Sequence, residues 1–233
     1  MSVFRELMEI RECVELFDRA DILSSSNEYV NLPLNYASQT RGLLYKDYWD
    51  IYNRNFWYHI KTKDESLILF EDDSFRFIMS PVSIPSHNDF IAYDLGSDWD
   101  GFNDDDKKSY LTSDYFKDAY EKYVETTSDF QSHTPIRLDQ HPHQYKAITH
   151  PAHHLHIGYE NESRIPVKRV LTPQAFSAFI LSTFYPDPWE LLHNEGFINV
   201  ENIRRFKTSL NIIGHLDQNL WDSIWEENRL YLG

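Results

Sequence analysis

Six of the chain's 11 histidines fall between His141 and His156, inside a segment that reads PIRLDQHPHQYKAITHPAHHLHIGYENESRIPVKRV from Pro135 to Val170. An imidazole titrates near pH 6.5, so it can move a proton or lend a nitrogen lone pair to a metal. If 136–140 and 154–159 are strands, the two-residue side-chain period places Arg137 with Asp139 on one face of the first, and His154 with His156 on one face of the second. Leu155 and Ile157 then turn toward the core. Gly158 permits an unusual backbone torsion just after the pair, and Pro142 and Pro151 stiffen the connections.

Three chemistries suit this pattern. In the first, His154 and His156 act as an acid/base pair on a phosphodiester, with Asp139 orienting one imidazole, His150 beside them, and Arg137, Arg164 and Lys168, with Arg169 as a further candidate, meeting the phosphate charge. In the second, the His-x-His pair with Asp139 and His150 supplies nitrogen and oxygen ligands suited to zinc or another divalent metal. In the third, the segment recognises a ligand or partner without chemistry. Any single histidine here would serve equally well by hydrogen bonding to backbone. Two same-face imidazoles beside several arginines favour a functional role. His141 and His143 carry a weaker signal, and His59, His87, His133, His193 and His215 are expected to be structural.

Other sites are excluded by composition and spacing. The seven glycines are too scattered to form a phosphate-binding loop or a dinucleotide fingerprint. A histidine-triad hydrolase needs a third alternating histidine where Gly158 stands, and no paired His-x-Ser/Thr elements, Gly-x-Ser-x-Gly elbow or His-Glu-x-x-His helix occurs. Asp139, Gln144 and Lys146 lie too close together for a restriction-type nuclease core. The acidic stretch 86–106, with Asp98-Trp-Asp100-Gly, breaks the EF-hand pattern and is expected to be a solvated loop. The single cysteine, Cys13, sits among apolar residues and is expected to be a buried, inert thiol.

The elements that must position the histidines follow from periodicity. Apolar residues from Val3 to Ala20 recur three and four apart, which predicts a helix. An aromatic-rich stretch follows at 43–57. The segments 56–61, 67–71 and 75–80 predict an antiparallel meander. Ser113 caps a predicted helix bearing Phe116, Ala119, Tyr120 and Tyr123. Strands are predicted at 136–140, 144–149 and 154–159. Thr172-Pro173 starts another helix, Pro188 a short one, and the remaining apolar spacing through Leu230 is helical. The expected fold is α+β, one domain over residues 1–233, with a central antiparallel sheet and helices at both ends. At 233 residues such a domain can bury roughly 70% of its unfolded surface.

Charge is unevenly spread. Residues 1–132 hold 13 Lys+Arg against 26 Asp+Glu, whereas 133–170 hold 5 against 3. An acidic body repels nucleic-acid phosphate, so nonspecific duplex DNA binding is not expected, and an anionic ligand is least repelled at the histidine segment. The charged N-terminal residues and the absence of a long apolar run predict a cytoplasmic chain with no membrane partner.

The stretch 150–189, with its His-Pro, His-Leu-His-x-Gly, Arg-x-Pro, Leu-Thr-Pro and Phe-Tyr-Pro, resembles a conserved bacterial family known only as a domain of unknown function. A shorter run, Arg137-x-Asp139…His150-Pro…His154-x-His156-x-Gly158, is similar to a histidine-rich segment of small toxins from toxin–antitoxin pairs, and that resemblance implies RNA cleavage. The expectation is therefore a phosphodiester-directed, nuclease-like enzyme acting on RNA or another phosphate-containing ligand in anti-phage defence or toxicity. The alternative is a noncatalytic module of a multiprotein defence or regulatory complex, whose acidic first half and exposed aromatics bind a basic partner encoded nearby.

Overall fold

The computed structural model describes residues 3–83, 85–127, 129–213, 220–222, 224–226 and 231–232. The chain forms two compact units, residues 1–79 with 133–233 and residues 80–132. No helix among the described residues is long and apolar enough to cross a membrane.

The first unit begins with α1 (Val3–Arg19), whose Ile10, Cys13 and Phe17 form a buried stripe at helical spacing. Burial pushes the Cys13 thiol up to about 12, so it stays protonated. After β1 (Leu23–Ser26) come the short α2 (Tyr36–Thr40) and α3 (Tyr45–Arg54). Buried Tyr45, Tyr48, Trp49 and Tyr52 give α3 an inner face at positions i, i+3, i+4 and i+7. The meander follows as β2 (Ile60–Thr62), β3 (Leu67–Phe70) and β4 (Ser74–Ile78). Its first strand starts later than expected, because Phe56 takes a positive φ of 56° and the Trp57 amide closes onto Tyr52 O.

The second unit contains β5 (Val82–Ser83), α4 (His87–Asp94), α5 (Asp104–Leu111), α6 (Asp114–Thr127) and β6 (Asp129–Phe130), with β5 and β6 paired antiparallel. The stretch expected to be a solvated loop is therefore mostly helical. Ser86 and Asp89 form a capping box that starts α4, and Phe90 and Ile91 pack with Phe116 into a small core. Ser113 caps α6 as expected, its Oγ accepting from the Phe116 amide at 3.0 Å.

The chain returns to the first unit in β7 (Ile136–Gln140), β8 (His153–Ile157) and β9 (Ile165–Pro166). No strand forms at 144–149. Pro142 opens a single 3-10 turn there, Lys146 and His150 exchange both backbone hydrogen bonds, and Ile148 takes a φ of 76°. Then α7 (Pro173–Phe184), capped by Thr172, leads into α8 (Pro186–Asn194), which starts two residues earlier than expected, and α9 (Val200–Ser209). Helix stops at Leu210, which is extended, and neither Leu220 nor Ile224 is helical; Leu230 and His215 lie outside the described residues.

The first unit is built on one seven-stranded sheet of order β1-β2-β3-β4-β7-β8-β9, antiparallel throughout. The protein is an α+β fold with helices at both ends. One face of the sheet presents Ile60, Ile68, Phe75, Phe77, Leu138 and Leu155, all buried in a core shared with α1 and α7. Leu155 takes the expected inward position, whereas Ile157 at the strand end is exposed.

Candidate functional site

The opposite face of the same strands is polar, because side chains alternate along each strand. Two cross-strand rungs run over β4, β7 and β8: Arg76, Arg137 and His156 stand opposite one another in the first, and Ser74, Asp139 and His154 in the second. Register therefore brings a carboxylate between two guanidinium groups and two imidazoles.

Asp139 is the hub. Its carboxylate accepts from Ser74 Oγ at 3.1 Å and from Arg137 Nε at 3.0 and 3.1 Å. His156 Nε2 stands 3.2 Å from Asp139 Oδ2, and His154 Nε2 3.8 Å from the same oxygen. Both imidazoles are anchored at their other nitrogen: Nδ1 of His154 lies 2.9 Å from Pro151 O, and Nδ1 of His156 lies 2.9 Å from Asn161 O. A carbonyl oxygen only accepts, so each Nδ1 carries the hydrogen. Gly158, at a φ of +92°, turns the chain so that Asn161 comes back beneath His156.

Burial alone would raise the Asp139 carboxyl. The hydrogen bond from His156 and the charges of Arg137, His156 and Arg76 outweigh it and hold the group well below the usual carboxylate range. Burial, followed by the charge of His156, pushes His154 down to about 4. His154 is 1% exposed. It cannot meet a substrate directly, so the two imidazoles do not flank an open site from opposite sides.

Asp139, His156, Arg137 and Arg76 line a cleft of about 480 Å3. Arg76 is fixed by Glu71, whose carboxylate accepts from its Nε at 2.7 Å and also from the Tyr36 hydroxyl. Arg41 lies at the rim, exposed and with no ion-pair partner among the described residues. The turn after β8 closes one side: Glu160 accepts from the Gly42 amide at 2.9 Å, and the Tyr159 hydroxyl donates to Leu43 O at 3.0 Å.

Of the residues singled out from the sequence, the structure gathers Asp139, His154, His156 and Arg137. His150 packs edge-on against His154, ring centroids 5.0 Å apart, and its Nε2 has no hydrogen-bond partner among the described residues. Arg164 does not line the cleft, although its charge reaches His150. Lys168 stands apart from the group: its ammonium sits 5.4 Å over the rings of Trp221 and Tyr231, because residue 168 has passed beyond β9 and bonds to Leu232 O through its backbone. Arg169 is likewise outside, donating to Leu210 O.

Sequence reasoning missed Arg76, Glu71, Arg41 and the tyrosines of α2 and α3. A signal existed for Arg76, a charge at the centre of the apolar run Phe75-Arg76-Phe77. It also missed His153, a buried imidazole on the strand side opposite His154, whose Nδ1 has no partner among the described residues. Burial, followed by the charge of His141, pushes His153 down to about 4. His59 is structural as expected, accepting from the Phe70 amide at 3.1 Å.

Asp139, His154 and His156 are the one group of three among the described residues whose side chains offer metal-type donor atoms together, all within 4.8 Å of one another. No curated protein and no solved structure matches the chain. The model of a family described as "Uncharacterized conserved protein (DUF2290)" matches residues 21–211, a span that contains the whole cleft and its hub, and the chain belongs to that family.

Proposed function

We propose that this protein is a phosphodiester-directed hydrolase, nuclease-like, with RNA as its first candidate substrate and the Asp139 edge of the cleft as its reacting centre. The observation that supports this most is the side-by-side placement of Arg76, Arg137 and the Asp139–His156 contact on one cleft wall, all but Arg76 from the least acidic part of the chain. Arg137, partly exposed and pointing its guanidinium at the hub, would share its remaining donors with a phosphate oxygen, and Arg41 at the rim would meet the next negative charge. In hydrolysis a water oxygen bonds to phosphorus and a P–O ester bond breaks, the water's proton passing to the leaving oxygen. The acidic remainder of the protein disfavours long duplexes and leaves room for a short or single-stranded ligand.

The test is cleavage of a mixed RNA pool and of bis(p-nitrophenyl) phosphate by the wild-type protein and by Asp139→Asn and Arg137→Ala. Cleavage lost in both variants is expected; equal activity in all three, or none in any with every substrate tried, overturns the reading. A cytoplasmic role in defence or toxicity predicts growth inhibition on expression that the Asp139→Asn variant relieves.

A second reading draws on the 80–132 unit, where Tyr93 and Tyr115 are 72% and 59% exposed among acidic residues. A noncatalytic module would use that surface to hold a basic partner, and its co-purification with a neighbouring gene product would not depend on Asp139.

A further inference from the structure

We infer that Asp139, His154 and His156 together hold a divalent transition-metal ion, zinc before the others. Only the ion's use in hydrolysis rests on the function proposed above; its binding stands on geometry.

The first ground is hydrogen bookkeeping. Each imidazole spends its Nδ1 hydrogen on a backbone carbonyl, Pro151 O for His154 and Asn161 O for His156. With both rings neutral, each Nε2 then presents a lone pair, and both lone pairs face the same carboxylate oxygen, which also only accepts. Three acceptors converge on one place. A single proton between His156 and Asp139 satisfies that contact alone and supplies no hydrogen to the Nε2 of His154, 3.8 Å from the same oxygen. Arg137 does not resolve this, because its guanidinium engages the carboxylate and not the imidazoles. A cation seated among the three acceptors satisfies all of them at once.

The second ground is spacing. Donors bound at about 2.1 Å around a tetrahedral ion stand about 3.4 Å from one another. The two separations to Asp139 Oδ2 are 3.2 and 3.8 Å, and all three donor atoms lie within 4.8 Å. Small rotations of already aligned rings would close the set.

The third ground is the support behind the ligands. Metal-binding histidines commonly give their other N–H to a backbone carbonyl or carboxylate, which fixes tautomer and ring plane. Both histidines do so here, and the carboxylate is steadied by Ser74. The set is also one-sided. Asp139 and His156 line the cleft while His154 is buried behind them, so the fourth position of an ion would open into the cleft, as in sites where zinc carries water. One carboxylate against a divalent charge leaves a net positive centre for an anionic ligand.

The test uses full-length protein purified without a histidine tag, stripped with chelator and titrated with Zn2+, with Co2+ as a spectroscopic probe. One equivalent of zinc is expected to bind. Asp139→Asn and His156→Gln should each weaken binding at least about tenfold, and His143→Ala, an exposed histidine outside the set, should leave it unchanged. Circular dichroism checks that each variant folds; if one does not, the wild-type cobalt spectrum must still show weak nitrogen and oxygen ligand-field bands without thiolate charge transfer. Folded wild-type protein that takes up no stoichiometric zinc, or affinity that survives both substitutions, overturns the inference. Stoichiometric zinc without cleavage of any substrate supports this site and sinks the hydrolase reading. Cleavage by stripped protein in excess chelator, with no zinc uptake, sinks this site and leaves that reading standing.

Discussion

The two faces of β4, β7 and β8 are built from neighbouring residues and obey opposite rules. Phe75, Phe77, Leu138 and Leu155 are buried against α1 and α7, where each is one of many apolar contacts and the loss of one is felt as a cavity. One residue along each strand, Ser74, Arg76, Asp139, His154 and His156 occupy the other face, where partners are few and directional. The apolar face holds the strands in register; the register is what makes the polar face a site. A one-residue slip of β8 would send both imidazoles into the core. Chemistry on one side of this sheet is thus positioned by packing on the other.

Substitutions at adjacent positions separate the two roles. Asp139→Asn should lower phosphodiester cleavage on the order of 10²–10³-fold, as removal of one preorganised electrostatic group does, with a smaller loss in the urea midpoint at neutral pH, where a carboxyl held below its usual range stabilises the folded chain. Leu138→Ala, one residue away and 0% exposed, should do the reverse: a loss of about 3 kcal/mol in stability and a normal rate per folded molecule. If Leu138→Ala abolished zinc binding in protein still folded, or Asp139→Asn unfolded the chain, the division between the faces would fail.

Histidine chemistry sharpens the same contrast. His153 is held near 4 by its burial, so the folded chain keeps it neutral while the unfolded chain protonates it near 6.5. Because the unfolded state binds the extra proton, its contribution to stability is full above about pH 6.5 and is lost as pH falls toward 4, with a total on the order of 3 kcal/mol. Urea unfolding at pH 7 and pH 5 reads this, and His153→Gln should reduce the slope, the rest of which comes from His154 and His59, also pushed down to about 4 by burial. A slope unchanged in the variant would mean that His153 is not among the titrating groups.

The smallest effect concerns the turn that supports His156. Gly158→Ala adds a Cβ whose nearest neighbours, on Asn161, lie 3.6 and 3.7 Å away, which is ordinary contact. The penalty is therefore the positive φ alone, about 1 kcal/mol. Since Asn161 O orients His156, zinc affinity should fall modestly, by about tenfold at most, in the same titration used for the ligands. Equal zinc affinity in Gly158→Ala and wild type would show that the turn does not set the imidazole.

How much of this was legible in the sequence depends on the range of the interaction. The period-two pattern in Arg137-Leu138-Asp139 and His154-Leu155-His156 is local, and it correctly paired the residues by face. The capped helices at Ser113 and Thr172 were legible for the same reason. The helices within 86–106 are not legible, because the acidic composition masks a capping box and two apolar anchors, Phe90 and Ile91, that become visible only once Phe116 packs on them. The α3 stripe is hidden in the sequence because Tyr and Trp on its inner face are amphipathic and blur the apolar period. Arg76 and Glu71 could not be joined to the site, since β4 pairs with β7 across an insertion of more than fifty residues.

By itself, the sequence determined which side chains share a face, because strand geometry ties facing to residue number. It also placed the imidazoles in the least acidic segment and ruled out glycine-dependent phosphate loops. Only the tertiary structure decided that the two faces belong to one sheet, that β7 and β8 align Asp139 with His154 and Arg137 with His156, and that both Nδ1 atoms turn to backbone carbonyls. Register and ring orientation are settled by contacts between segments distant in sequence, and it is those contacts that bring two of the six clustered histidines, His154 and His156, beside Asp139.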